Sequence, residues 1–182
     1  TGIELDDGRS IKARKVVSNL NPKLLYKKLI AEEDLDPEFN RSMDGYKCGS
    51  GTFRMNVALS ELPDFTSLPG KETAEHHQSG IVIAPTLDYM DKAYIDAKAN
   101  GWSSDPIVEM LIPSTMDDTL APEGQHVASL FCQQFSPALS DGRSWHDYRL
   151  AAADTIIETV NNHAPNFKKS ILGTMILSPL DL

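Results

Sequence analysis

Apolar and polar positions alternate most cleanly in "GTFRMNVALS", where Phe53, Met55, Val57 and Leu59 point one way and Arg54, Asn56, Ala58 and Ser60 the other. A period of two is that of a strand with one apolar face. Further strands are expected at "GIVIAP", "PIVEMLIPS", "QHVASLFCQQF" and "SILGTMILSP". Tyr89, Met90, Ala93, Tyr94 and Ala97 recur at helical spacing and stop at Gly101. Trp145, Tyr148, Ala152, Ile156 and Val160 form the apolar stripe of a longer helix, capped by Ser144 and ended before Pro165. Two shorter helices are announced by Asn21-Pro22 and Asp36-Pro37, a capping residue followed by proline at the first helical position.

The opening "TGIELDDGRSIKARKVVSNLNP" predicts a hairpin: a strand from Gly2 to Leu5, a turn at Asp6-Asp7-Gly8, and a second strand from Ile11 to Val17. A lone two-stranded ribbon is marginal in water, so this one is expected to belong to a sheet outside the chain. The remaining strands are separated by long insertions and lack a regular strand-helix-strand alternation. That pattern predicts an α+β fold: a mixed, largely antiparallel sheet with helices packed on it.

Composition narrows the function classes. The chain has 182 residues, 41% of them hydrophobic, enough for one ordinary core. Its net charge of −9 comes from 26 acidic and 17 basic residues, and the basic ones are scattered, which argues against a nucleic-acid partner. No apolar run approaches the roughly 18 residues of a membrane span. Cys48 and Cys132 belong to no metal-spaced pair. Both are expected to be reduced and partly buried, which points to the cytoplasm, or to mitochondria in a eukaryotic source.

Several motifs invite chemistry. "CGSGTF" has a Gly-x-Gly, but it lacks the third glycine and leads into a strand, so it reads as a flexible approach to that strand and not a phosphate loop. In "AEHHQ", Glu75, His76 and His77 suggest a metal, yet no second cluster completes the ligand set, and a solvated loop is the expectation. Ser144 and His146 lack a Gly-x-Ser-x-Gly elbow, and capping accounts for the serine. Gln133 is placed on one face with Val127, Phe131 and Phe135, while Arg54 and Asn56 lie opposite Phe53, Met55 and Val57. Either these groups converge on a ligand pocket, or Gln133 bonds neighbouring backbone and Arg54 pairs with an acid.

Three stretches together resemble one family. "GIELDDGRSIKARKVVSNLNP", "EMLIPSTMDDTLAPEGQHVASLFCQQFSP" and "ILGTMILSPLDL" are similar to segments of phytoene dehydrogenase-like, flavin-dependent oxidoreductases, in particular the pyridine nucleotide-disulfide oxidoreductase domain-containing protein 2 group. The resemblance implies FAD in the intact protein and an apolar, isoprenoid-like substrate oriented by the central domain. It assigns residues 1–19 to the returning hairpin of a mostly absent FAD-binding domain and 20–182 to a substrate-binding domain. Ser18 and Asn19 would then lie near the cofactor, and Phe53, Met55, Val57, Phe131 and Gln133 would form the substrate wall.

The glycine fingerprint of a dinucleotide site is missing from these residues. The chain is therefore expected to be a piece of a longer enzyme that neither binds FAD nor catalyses redox chemistry alone. Separated from its flavin domain, it would expose apolar surface and form a homo-oligomer. The alternative is a non-catalytic binding or protein-interaction module on an oxidoreductase scaffold.

Overall fold

The computed structural model describes residues 2–182, which divide into two compact units, one ending at Cys48 and the other Gly49–Leu182. In the first, β1 (Gly2–Glu4) pairs antiparallel with β2 (Ser10–Lys12), with Ile3 opposite Ile11. Gly8 sits in the turn at φ +81°, a conformation few side chains accept. The second strand stops at Lys12, short of the expected Val17, because β1 offers only three partners. Beyond it the chain runs without a strand neighbour, and Val17 is 96% exposed.

Asn21 caps α1 (Pro22–Leu24) by accepting a hydrogen bond from the Lys23 amide at 2.9 Å, and a wide helical turn continues over Leu25–Leu29. Asp36 caps α2 (Pro37–Gly45) through the amides of Glu38 and Phe39. Tyr26 meets Phe39 edge-on at 4.9 Å, and Lys27 bridges Asn40 and Asp44, each at 2.8 Å.

The second unit is built on a five-stranded sheet in the order β4-β5-β6-β3-β7, every pairing antiparallel. Its strands are β3 (Phe53–Leu59), β4 (Ile81–Ile83), β5 (Trp102–Leu111), β6 (His126–Phe135) and β7 (Ile171–Leu177). The helices are α3 (Leu87–Asn100), α4 (Trp145–His163) and the short α5 (Phe167–Ser170). The α+β expectation holds.

Capping fixes where the helices begin and end. Thr86 accepts from the Tyr89 amide to start α3, and Gly101 ends it at φ +98°, where a Cβ would fall 2.4 Å from Leu139. Ser144 accepts from the His146 amide and starts α4, the capping role expected of it.

One face of the sheet is the core. Phe53, Met55, Val57 and Leu59 are buried against Leu130 and Ala128 of β6, Ile156 and Val160 of α4, and Phe167 of α5. Strand β5 begins at Trp102, not at Pro106. A register shift between Trp102 and Ile107 carries the polar Ser103-Ser104-Asp105 past the sheet and lets Trp102 pair with Phe135. The α3 helix rests on this start of β5: the Tyr89 hydroxyl donates to the Pro106 carbonyl at 2.9 Å, and Ser103 donates to Asp96 at 2.9 Å. No helix among the described residues is long and apolar enough to cross a membrane.

Candidate functional site

Alternation puts the other residues of these strands on the second sheet face, and the registers order them into rows. One row runs Val82, Glu109, Phe131, Arg54, Leu177, and the next runs Leu111, Ser129, Asn56, Met175. The face mixes apolar and polar side chains, and its apolar ones are accessible: Val82, Leu111 and Met175 are 61%, 57% and 52% exposed. A shallow hollow of about 140 Å³ lies over it, with Phe131, Val82 and Leu111 in its lining and Arg54 and Glu109 among its polar groups.

The Arg54 guanidinium stands 5.7 Å from the Phe131 ring centre and donates a long bond, 3.4 Å, to the Ser129 hydroxyl. Among the described residues it makes no ion pair, contrary to the expectation that it meets an acid. Among the described residues the Gln133 side chain bonds no neighbouring backbone; its amide donates to the Glu109 carboxylate at 3.4 Å.

The five expected wall residues are thus divided between the two faces. Phe53, Met55 and Val57 are 0–1% exposed in the core, opposite Cys132, Leu130 and Ala128, while Phe131 and Gln133 stand on the second face. Phe135 does not share that face; its ring packs 5.1 Å from Phe53 in the core. Ser18 and Asn19 are exposed in the first unit, where the Ser18 hydroxyl accepts from the Leu20 amide at 3.2 Å. Sequence reasoning missed Glu109, whose place beside Phe131 depends on the β5-β6 register.

The cysteines differ from expectation. Cys48 is exposed, and only Cys132 is buried, where loss of solvent, followed by the charge of Glu109, pushes its thiol pKa up.

The paired histidines are no solvated loop. His77, in the single turn Glu75–Gln78, is 1% exposed. Its Nδ1 accepts from the Ala74 amide at 3.1 Å, so its Nε2 proton is directed to the Pro63 carbonyl at 3.0 Å. The His76 ring lies 3.9 Å from it, with Nε2 buried and, among the described residues, unpartnered. Across the turn, the Ser114 hydroxyl accepts from the Val127 amide, which leaves its proton for Nδ1 of His126 at 3.3 Å. Among the described residues no group of three or more His, Cys, Asp or Glu side chains stands close enough to hold a metal.

Burial, and then the neighbouring His77, hold both His76 and His126 below the ordinary histidine value of 6.5. A lowered folded-state pKa means that the unfolded chain binds more protons, so this stability is complete above 6.5 and lost as pH falls through the folded values. Melting temperature should therefore drop between about pH 7.5 and pH 5, and a double His76→Gln, His126→Gln variant should flatten the slope. Asp117 and Asp181, held below 3.8 chiefly by side-chain hydrogen bonds from Thr119 and Ser178, act only in a separate, more acid window.

The described residues build no dinucleotide cradle. Gly49 and Gly51 lead into β3, not a helix, and Gly49 is explained by contact: a Cβ there would come within 2.6 Å of Pro137. The described residues do not fit the pyrophosphate of a flavin dinucleotide.

No family model matches the chain. Over its whole length it is similar to curated relatives named pyridine nucleotide-disulfide oxidoreductase domain-containing protein 2. The mouse protein, Mus musculus, is 35% identical over 187 residues, covering 100% of this chain and 32% of the relative. The rat protein, Rattus norvegicus, gives the same identity and coverage. The chain is thus similar, from end to end, to about a third of these oxidoreductase-domain proteins.

Proposed function

We propose that the chain is the substrate-binding part of an FAD-dependent, phytoene dehydrogenase-like oxidoreductase, and that its second sheet face is the wall against which an apolar, isoprenoid-like substrate lies. The observation that carries this reading is the accessible apolar face of Val82, Leu111, Phe131 and Met175, in a chain similar throughout to oxidoreductase-domain proteins. In this reading residues 1–19 return from a flavin domain, with Ser18 and Asn19 nearest to it, and residues 20–182 form the substrate domain. The flavin, held by parts of the whole protein outside this chain, supplies the hydride chemistry. This chain's own residues orient the substrate and exclude water. Phe131 and Gln133 would touch it, while Phe53, Met55 and Val57 brace the sheet from behind.

The full-length protein tests this directly. It should purify with flavin absorption, and Phe131→Ala should lower kcat/KM for an apolar substrate by about tenfold with the flavin still bound, a loss of about 1.4 kcal/mol in transition-state binding. A full-length protein that retains no flavin even with FAD added would overturn the reading. That outcome would favour a protein-interaction module, for which the outer strand β7, with Leu172 and Met175 exposed, is the natural contact.

A further inference from the structure

Arg54 is out of place on a wall that has only to hold a hydrocarbon. It stands in the row between Phe131 and Leu177, on the fourth of five strands, and not at a sheet edge where lysine and arginine usually serve solubility. A guanidinium offers five N–H donors in a planar fork. Here one of them makes a long bond to Ser129, and the ring of Phe131 lies beside the group. Glu109, the acid of the same row, lies beyond Phe131, two strand spacings or about 10 Å from Arg54 at the backbone, and it receives the Gln133 amide instead.

Two further polar groups sit beside Arg54. Asn56, two residues along β3 on the same face, makes no side-chain hydrogen bond among the described residues. Ser129 lies directly opposite Asn56 in the register. The Arg54 fork and the Ser129 hydroxyl therefore line the hollow formed over Phe131, Val82 and Leu111, with Glu109 on its other side and Asn56 next to Arg54 on the same face.

We propose that this face takes an apolar molecule carrying a carboxylate, with Arg54 receiving the carboxylate and the hydrocarbon lying over Phe131. The inference rests on the reading of the second face as a substrate wall, and it adds the head group. Arginine matches a carboxylate through two parallel N–H···O bonds. A phosphate ester fits less well: these two rows carry one cation only, and Glu109, which lines the same hollow, repels a dianion more strongly than a singly charged carboxylate.

The experiment compares octanoate with octanol, which share a hydrocarbon tail and differ in charge, by calorimetric titration of the full-length protein. Octanoate should bind at least tenfold tighter than octanol. Arg54→Gln should abolish that preference while leaving octanol affinity and the circular-dichroism melt unchanged, and Arg54→Lys should retain part of it. Phe131→Ala should weaken both ligands together. Equal binding of the two ligands, or a preference that survives Arg54→Gln, overturns the role of Arg54 and leaves the apolar wall standing. Failure of both ligands to bind removes both ideas, whereas flavin retention, measured separately, decides the oxidoreductase reading.

Discussion

Phe53→Ala is expected to lower the unfolding free energy by about 3–5 kcal/mol, the range for emptying a buried aromatic site. The ring is fully buried, with Phe135 at 5.1 Å and Trp145 at 5.8 Å. Both neighbours come from elements other than its own strand, Phe135 from β6 and Trp145 from the first turn of α4, so no single shift can close the cavity. Against a total stability of about 5–15 kcal/mol for a domain, the loss is large. Urea unfolding followed by tryptophan fluorescence gives the value, since Trp145 reports on the same cluster. Phe131→Ala, on the accessible face, should cost about 1 kcal/mol by the same measurement. If Phe53→Ala stayed within about 1 kcal/mol of the parent and yet removed substrate binding, Phe53 would be a pocket wall and not a core residue.

That pair of phenylalanines also marks the boundary of what was legible in the sequence. Strand β3 carries its polarity openly, because Arg54 and Asn56 interrupt the apolar positions and leave one choice of buried face. Strand β6 does not: Leu130, Phe131 and Cys132 are consecutive and apolar, so either parity could face the core. The choice is made by register, Phe53 opposite Cys132 and Arg54 opposite Phe131, and register between strands more than seventy positions apart leaves no local trace. Phe135 parts from Phe131 just as silently, since nothing in "QQF" announces that the alternation fails there. Caps, by contrast, are local, and Asn21, Asp36 and Ser144 each accept the amide bond that their helix start requires.

The role of His77 is hidden in the sequence for a different reason, and the second large effect is expected there. A polar residue in a segment rich in Gly, Pro, Glu and Ser reads as solvated, but here the ring is the tie that closes the connection after β3. It spans the Pro63 carbonyl at one end of the loop and the Ala74 amide at the other, while the Thr115 hydroxyl donates to its backbone carbonyl at 3.1 Å. His77→Leu keeps the bulk and removes both side-chain bonds. Each orphaned backbone group costs about 1–3 kcal/mol when it cannot reach water, so a loss of about 2–4 kcal/mol is expected. His77→Gln should recover at least half of it, because a carboxamide can accept from Ala74 and donate to Pro63. Hydrogen exchange adds a local reading: the Ala74 amide should exchange faster in the leucine variant than in the glutamine one, while the amides of β3 and β6 change only as far as global stability falls. Equal stability of the leucine variant and the parent would mean that the loop finds other partners for both groups, and that the histidine ring is filling space.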